Sequence, residues 1–194
     1  MGTSTQSGIF DVIIVGGGPA GLFAAYYLSI HSDLRVLILE KGKPPRKRQC
    51  PINGTGECLK CEPCQILAGI GGAGLFSDGK LNFIAKLGKT DLTQFLPGAQ
   101  ADELIREAET IFDTFGMTGP VFPSNMEAAR AIRRDAKKFG IDLLIIKQKH
   151  LGSDCLPGYI AGMMKHLENR VTIYTSEAVA DIETAADGKK RVTT

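Results

Sequence analysis

This chain of 194 residues has few histidines and cysteines and a small net charge. Its three histidines cannot be assembled into a Ser/His/Asp triad, and no pair of carboxylates stands out as an acid–base couple. The net charge of +2 gives no electrostatic reason to expect nucleic acid or a membrane surface as the main partner. A chain of this length buries roughly 70% of the surface that it exposes when unfolded. The five cysteines are therefore not required as disulfide staples.

The sequence also gives no reason to expect a targeting segment or a membrane-spanning helix. Residues 12–30 carry no charge, but Gly16, Gly17, Gly18 and Pro19 interrupt the run, whereas a lipid-exposed span needs an unbroken helix. Residues 1–7 contain no Lys or Arg, which argues against a signal peptide. We therefore expect a cytoplasmic protein without a membrane partner.

The first forty residues read as a strand, a glycine-rich turn, a helix and a second strand. The apolar, β-branched runs 10–15 and 34–39 are typical of strands buried on both faces, and residues 19–29 are rich in Ala and Leu. This order and size indicate a βαβ unit with adjacent parallel strands and a right-handed crossover. The fold class predicted is α/β, with a Rossmann-like three-layer architecture in one domain over residues 1–194.

Residues of about 43–98 have weak periodicity and many Gly, Cys, Pro and Lys residues, which indicates a loop-rich insertion. One short helix is predicted inside the insertion, at 62–68. After the insertion, helices are predicted at 101–115, 125–139 (capped by Ser124 and Glu127) and 155–169, and strands at 141–146, 171–174, 179–182 and from 191. Asp187-Gly188 marks a hairpin turn before that last strand.

The turn after the first strand carries a dinucleotide-binding pattern. Gly16-Gly17-Gly18-Pro19-Ala20-Gly21 matches G-x-G-x-x-G. Gly16 permits the tight turn, Gly18 lets a pyrophosphate approach the backbone, and Gly21 allows close helix–strand packing. The helix beginning at Pro19 directs free N–H groups at the phosphates. Glu40 ends the second strand at the spacing expected for an acceptor of ribose hydroxyls, which disfavours a 2′-phosphate.

With these residues identified, the N-terminal region resembles the two-dinucleotide-fold FAD enzymes related to glutathione reductase. Their motif DVxIVGGGPAGL is matched by residues 11–22, and their acidic–basic pair after the second strand by Glu40-Lys41. The resemblance implies FAD as the cofactor, bound by residues 16–21 together with Glu40 and Lys41.

A second segment is more particular. Residues 71–81 read GGAGLFSDGKL, which resembles the GGAGxFSDGKL segment of a group of uncharacterised FAD-dependent dehydrogenases. The resemblance extends over most of residues 10–183. It implies that Gly72, Ala73, Gly74 and Ser77 follow the pyrophosphate and ribityl chain, and that Val179 meets the adenine. Glycines free the backbone to approach a ligand and a serine hydroxyl suits a phosphate, although a mobile surface loop is the alternative.

Cysteines and cations crowd the insertion. Cys50, Cys58, Cys61 and Cys64 supply four thiols, the number for a zinc site or an iron–sulfur cluster; redox-active or unliganded cysteines are the alternatives. Cys155 stands apart and is predicted to be a small core residue. The basic run, which consists of Lys41, Lys43, Arg46, Lys47 and Arg48, is interpreted as a solvated loop or as an anion-facing patch.

The motifs predict a dinucleotide-binding domain, and the resemblance implies the FAD-binding portion of a flavin-dependent oxidoreductase, specifically a dehydrogenase. A small-molecule substrate or electron acceptor would be its partner. Members of the resembled superfamily are usually at least twice this length, so the chain is expected to be the N-terminal part of a longer protein, with the catalytic residues beyond Thr194. The alternatives are an NAD-binding dehydrogenase or dinucleotide-dependent biosynthetic enzyme, and a non-enzymatic metal-binding or interaction module centred on Cys50–Cys64.

Overall fold

The computed structural model describes residues 8–52 and 56–194, which divide into two units: a first unit that runs to Phe76 and includes Ile160–Thr194, and a second unit, Ser77–Tyr159. The helices and strands in chain order are β1 (Val12–Val15), α1 (Pro19–His31), β2 (Val36–Glu40), β3 (Lys80–Asn82), β4 (Lys86–Leu87), β5 (Thr90–Asp91), α2 (Gly98–Thr114), β6 (Val121–Phe122), α3 (Met126–Lys138), β7 (Gln148–His150), α4 (Leu156–Leu167), β8 (Val171–Thr175), β9 (Asp181–Thr184) and β10 (Lys190–Thr193).

The first unit is built on a parallel sheet of β1, β2 and β8, in that order β1-β2-β8. Val12 pairs with Val36, and Val36 with Val171, so the predicted parallel register of the first two strands is confirmed. All five residues of β2 are buried, as a central strand covered on both faces requires. Leu22 and Ala25 of α1 have no exposed surface, so the helix packs closely into this core.

The second unit has an antiparallel sheet in the order β3-β7-β6 and two amphipathic helices. Its buried cation is Lys149 in β7, whose ammonium contacts Asp113 Oδ1 at 2.5 Å and Glu109 Oε1 at 3.1 Å. The exposed Lys147 contacts the other oxygen of Glu109, and both ammonium groups lie over the Phe83 ring. Paired charges of this kind satisfy a buried lysine that would otherwise be costly.

Several predicted elements differ from the structure. Residues 141–146 form no strand, because β3 and β6 pair with 148–150 instead, and Ile141 and Leu144 are more than half exposed. The third helix begins one residue later than predicted, with Asn125 as its cap: the side chain accepts from Ala128 N at 3.0 Å, in place of the predicted Ser124–Glu127 box. The strand predicted at 179–182 begins at Asp181.

Residues 62–68 form turns rather than the predicted short helix. One helical hydrogen bond is present, from Ala68 N to Cys64 O at 2.9 Å. The helix does not continue because the carbonyl groups of Gln65 and Ile66, which would accept the next helical bonds, accept from a side chain of Arg48 instead. Across the described residues, no helix combines the length and apolarity needed to cross a membrane.

Candidate dinucleotide-binding site

Three of the four glycines within residues 16–21 meet a constraint from the protein's own geometry. Gly16 has φ +104°, a conformation that favours glycine. A Cβ at Gly17 would overlap the Ile70 side chain, and one at Gly21 would overlap the Gly16 carbonyl oxygen. The predicted roles of Gly16 in the tight turn and of Gly21 in helix–strand packing therefore agree with the geometry.

Gly18 is different, because nothing inside the described protein requires a glycine there. Its φ is −72°, which any residue adopts, and an added Cβ would meet one described atom within 4 Å, Gly72 Cα at 3.9 Å. Gly18 is also the N-cap of α1, and no side chain in the described ranges caps this helix end. The first turn of α1 therefore presents backbone N–H groups beside an open backbone surface, which is the arrangement that binds phosphate.

Glu40 lies at the carboxyl end of β2 and is 5% exposed. Its Oε2 accepts from Gly17 N at 2.7 Å, and its Oε1 accepts from Gly42 N at 2.7 Å and Gly69 N at 2.9 Å. One carboxylate thus joins three backbone segments: the glycine turn, the residues after β2 and the 69–72 loop. Sequence reasoning placed Glu40 at the ribose and did not foresee this internal role.

The loop of residues 69–72 packs directly on the glycine turn. Gly71 N donates to Gly17 O at 2.8 Å, and a Cβ at Gly72 would come within 3.3 Å of Gly18 Cα and of Pro19 Cδ. Gly72 has φ +61°, so the turn geometry and the close approach both favour glycine. The structure therefore brings Gly72 beside Gly18.

Arg48 is the residue that sequence reasoning missed. It is 3% exposed, and its guanidinium donates to the carbonyl oxygens of Gln65, Ile66, Gly69, Ile70 and Gly72 at 2.6–3.4 Å. The prediction that the basic run is solvated or anion-facing is therefore wrong for Arg48, although Lys41, Lys43, Arg46 and Lys47 are exposed. Nothing in the local sequence distinguishes Arg48 from Arg46. The available signal was that residues 65–72, without regular secondary structure, have carbonyl groups that need a hydrogen-bond donor.

Burial lowers the pKa of the Arg48 guanidinium, and the nearby Glu40 carboxylate and Cys64 sulfur oppose that shift. A guanidinium remains charged in proteins. A buried cation therefore binds the carbonyl groups of this loop, and a buried carboxylate binds its Gly69 N–H. The Arg48 Cζ also lies 4.9 Å from the Phe76 ring centroid. Such a cation–π contact adds to the retention of the guanidinium in its site.

The four clustered cysteines do not form a metal site in this structure. Within residues 8–52 and 56–194, no group of three or more His, Cys, Asp or Glu side chains could hold a metal ion. The zinc or iron–sulfur hypothesis for Cys50, Cys58, Cys61 and Cys64 is therefore not supported, and all four thiols are free. Hydrogen bonds from Leu67 N and Ile66 N, with Arg48 nearby, lower the pKa of Cys64. Cys155 is exposed, so its prediction as a core residue is wrong.

The remaining predicted cofactor residues stay predictions. Pro19, Ala20, Lys41, Ala73 and Gly74 are exposed, and Val179 is half-buried in the segment between β8 and β9. Ala73 begins a short 3-10 helix, Ala73–Phe76. Ser77 begins the second unit, where its hydroxyl accepts from Gly79 N at 3.3 Å. The arrangement around Gly18 is thus the part of the predicted site with a clear geometric basis.

Comparisons with known proteins match the N-terminal region of this chain. A family model described as the Thi4 family matches residues 5–45. A thioredoxin reductase from Listeria monocytogenes is 49% identical over 41 residues, which are 21% of this chain and 12% of that protein. A rifampicin monooxygenase from Streptomyces venezuelae is 52% identical over 40 residues, 21% of this chain and 8% of that protein.

Among solved structures, the L-alpha-glycerophosphate oxidase from Mycoplasma pneumoniae, reduced with dithionite and with FAD bound, superposes with a TM-score of 0.51. The alignment covers 96% of this chain and 50% of that chain at 18% identity. This chain therefore spans about half the length of that structure. At that identity the likeness concerns the fold, and it confirms the predicted Rossmann-like α/β class.

Proposed function

We propose that this chain is the FAD-binding part of a flavin-dependent oxidoreductase. The observation that carries the proposal is the open backbone at Gly18. No contact or backbone angle within the described residues requires a glycine at this position, which lies at an uncapped helix N-terminus and beside a second glycine-rich loop. A pyrophosphate in contact with the backbone is the ligand that accounts for all three features. The short matches to a thioredoxin reductase and a rifampicin monooxygenase, and the fold of an FAD-containing oxidase, support flavin chemistry.

The residues present fit this cofactor in named ways. The N–H groups of Ala20 and Gly21, in the first turn of α1, would face the pyrophosphate, and Gly72 lies beside this turn. The isoalloxazine would supply hydride or electron transfer when FAD is bound. The protein's own contribution in this region is to bind and orient the ADP half. The substrate, of small-molecule class, and the dehydrogenase reaction remain expectations that the resemblance implies.

Glu40 keeps a restricted role toward the ribose. A carboxylate offers about four lone-pair directions. Three backbone N–H groups already use three of them. We propose that the remaining direction accepts one ribose hydroxyl, and that the main work of Glu40 is to hold the turn and the loop in place.

Flavin binding by the purified protein tests the proposal. The visible absorbance of the preparation and titrations with FAD, FMN and NAD⁺ distinguish the cofactor classes. We expect stoichiometric FAD, weaker FMN because it lacks the ADP half, and no saturable NAD⁺ binding. Tight NAD⁺ binding without flavin uptake would favour the NAD-dependent alternative.

A further inference from the structure

The carbonyl groups of the segment that packs on the glycine turn converge on one buried side chain, that of Arg48. Residues 65–72 lie outside any helix or strand, so few of their carbonyl groups have backbone partners: Gly69 O accepts from Gly72 N at 2.8 Å and Gly72 O from Leu75 N at 3.4 Å. Five of these carbonyls accept from the Arg48 guanidinium, with distances of 3.0 Å to Gln65, 2.6 Å to Ile66, 3.4 Å to Gly69, 2.9 Å to Ile70 and 2.8 Å to Gly72. The contact to Gly72 matters most here, because Gly72 is the residue beside Gly18.

Steric constraints show that this loop is shaped around the arginine. A Cβ at Gly69 would come within 2.5 Å of Arg48 Cδ and 2.6 Å of Lys43 O, so a side chain there would displace the arginine or the backbone. On the opposite polarity, Gly69 N donates to Glu40. The loop backbone is therefore bound to a carboxylate at the N–H of Gly69 and to a guanidinium at its carbonyls.

We propose that Arg48 is a positioning residue for the dinucleotide. This inference rests on the proposed function. Arg48 binds the loop and not the cofactor: it holds the carbonyl of Gly72, which keeps that residue against Gly18 and Pro19 on the pyrophosphate side of the turn. Loss of the guanidinium would remove the donor to the carbonyls of Gln65, Ile66 and Ile70. The carbonyls of Gly69 and Gly72 would keep only a backbone donor, at 2.8 Å and 3.4 Å respectively, so the loop would be held less firmly on the turn.

The test compares Arg48→Met and Arg48→Lys with Arg46→Met, an exposed cation two residues away that provides the same change of charge. FAD affinity is measured by titration under conditions in which the apo-proteins are folded by circular dichroism. We expect Arg48→Met to weaken FAD binding about 10- to 100-fold, the range for losing a charged hydrogen-bond network. Arg48→Lys should recover part of the affinity, because an ammonium is a point donor without the planar fork. Arg46→Met should bind as wild type.

Two further measurements distinguish a positioning role of Arg48 from a general effect on stability. Guanidinium ion added to Arg48→Ala should restore part of the FAD affinity, and added to wild type should not increase it. Amide exchange in the apo-protein should accelerate at Gly71 N, which donates to Gly17 O, in the Arg48 variants and not in Arg46→Met.

Wild-type FAD affinity in Arg48→Met, or an equal loss in Arg46→Met, would overturn the inference. If Arg48→Met does not fold, Arg48→Lys carries the test: unchanged FAD affinity there would also overturn it. If wild type takes up no FAD, the proposed function fails and this inference fails with it, whereas wild-type binding with an insensitive Arg48 removes the inference alone.

Discussion

Substitution of Glu40 should destabilise the apo-protein, before any cofactor is considered. The carboxylate is buried and accepts hydrogen bonds from Gly17 N, Gly42 N and Gly69 N. In Glu40→Gln, the amide oxygen can replace Oε1 and keep two of these bonds, now to a neutral acceptor. The amide nitrogen would then face the N–H of Gly17, so two donors would oppose each other. A residue that only contacted a ribose would show none of this in the absence of ligand.

The magnitude follows from those three contacts. Two bonds that change from a charged to a neutral acceptor lose about 1 kcal/mol each, and one unsatisfied buried donor costs about 1–3 kcal/mol. Relief of the buried negative charge offsets part of this sum. We expect Glu40→Gln to lower the free energy of unfolding by about 2–4 kcal/mol, and Glu40→Ala by more, because it removes all three acceptor contacts.

Urea unfolding of the apo-proteins, followed by circular dichroism, measures the effect. With a denaturant slope of about 2 kcal/mol per molar, a loss of 3 kcal/mol moves the midpoint by about 1.5 M. Glu168→Gln, an exposed carboxylate directly after α4, is the matched control and should leave the midpoint unchanged. Faster amide exchange at Gly17, Gly42 and Gly69 would locate the change. A midpoint for Glu40→Gln equal to that of the control would refute the reasoning.

Three further predictions concern charged groups outside this carboxylate. Lys149→Met should lower the free energy of unfolding by about 2 kcal/mol, which is less than for a fully buried pair because one of the partner carboxylates is partly exposed. Lys147 is exposed, so Lys147→Met should lower it by at most about 1 kcal/mol; thermal unfolding measures both. The Cys64 thiol should be alkylated at a pH below that of a free cysteine, because backbone N–H groups stabilise its thiolate; a profile centred at the usual value would contradict this. The Lys86 ammonium and the Thr93 hydroxyl lower the pKa of Asp91 to about 2, so the stability from this pair should be complete above pH of about 4 and fall as pH drops toward 2; NMR titration of Lys86→Met should show the midpoint rising.

The βαβ unit was predictable because its signals are local. Apolar runs, a glycine-rich turn and Pro19 at the first helical position specify strand, turn and helix within about thirty residues. The same locality explains the errors. Residues 141–146 have the composition of a strand, but strand formation depends on a partner elsewhere in the chain, and that partner pairs with 148–150.

The candidate site divides in the same way. The separate reasons for Gly16, Gly18 and Gly21 follow from the motif; the geometry of the turn agrees with those for Gly16 and Gly21, and the role of Gly18 toward a pyrophosphate stays a prediction. The internal role of Glu40 and the burial of Arg48 depend on carbonyl and N–H groups brought in from residues 17–29 positions away. A single sequence carries no period or spacing that reports such contacts, so Arg48 looked like its solvated neighbours.

Gly18→Ala tests the central claim most directly. The added methyl group meets no described atom closer than 3.9 Å, so the unfolding free energy of the apo-protein should fall by at most about 1 kcal/mol, the size of an N-cap effect. Its volume lies where the pyrophosphate would approach, so FAD affinity by calorimetric titration should fall at least about tenfold. Gly98→Ala, at a glycine with equally open surroundings in the second unit, should change neither quantity. Undiminished FAD affinity in a folded Gly18→Ala protein would contradict the assignment of this turn as the cofactor site.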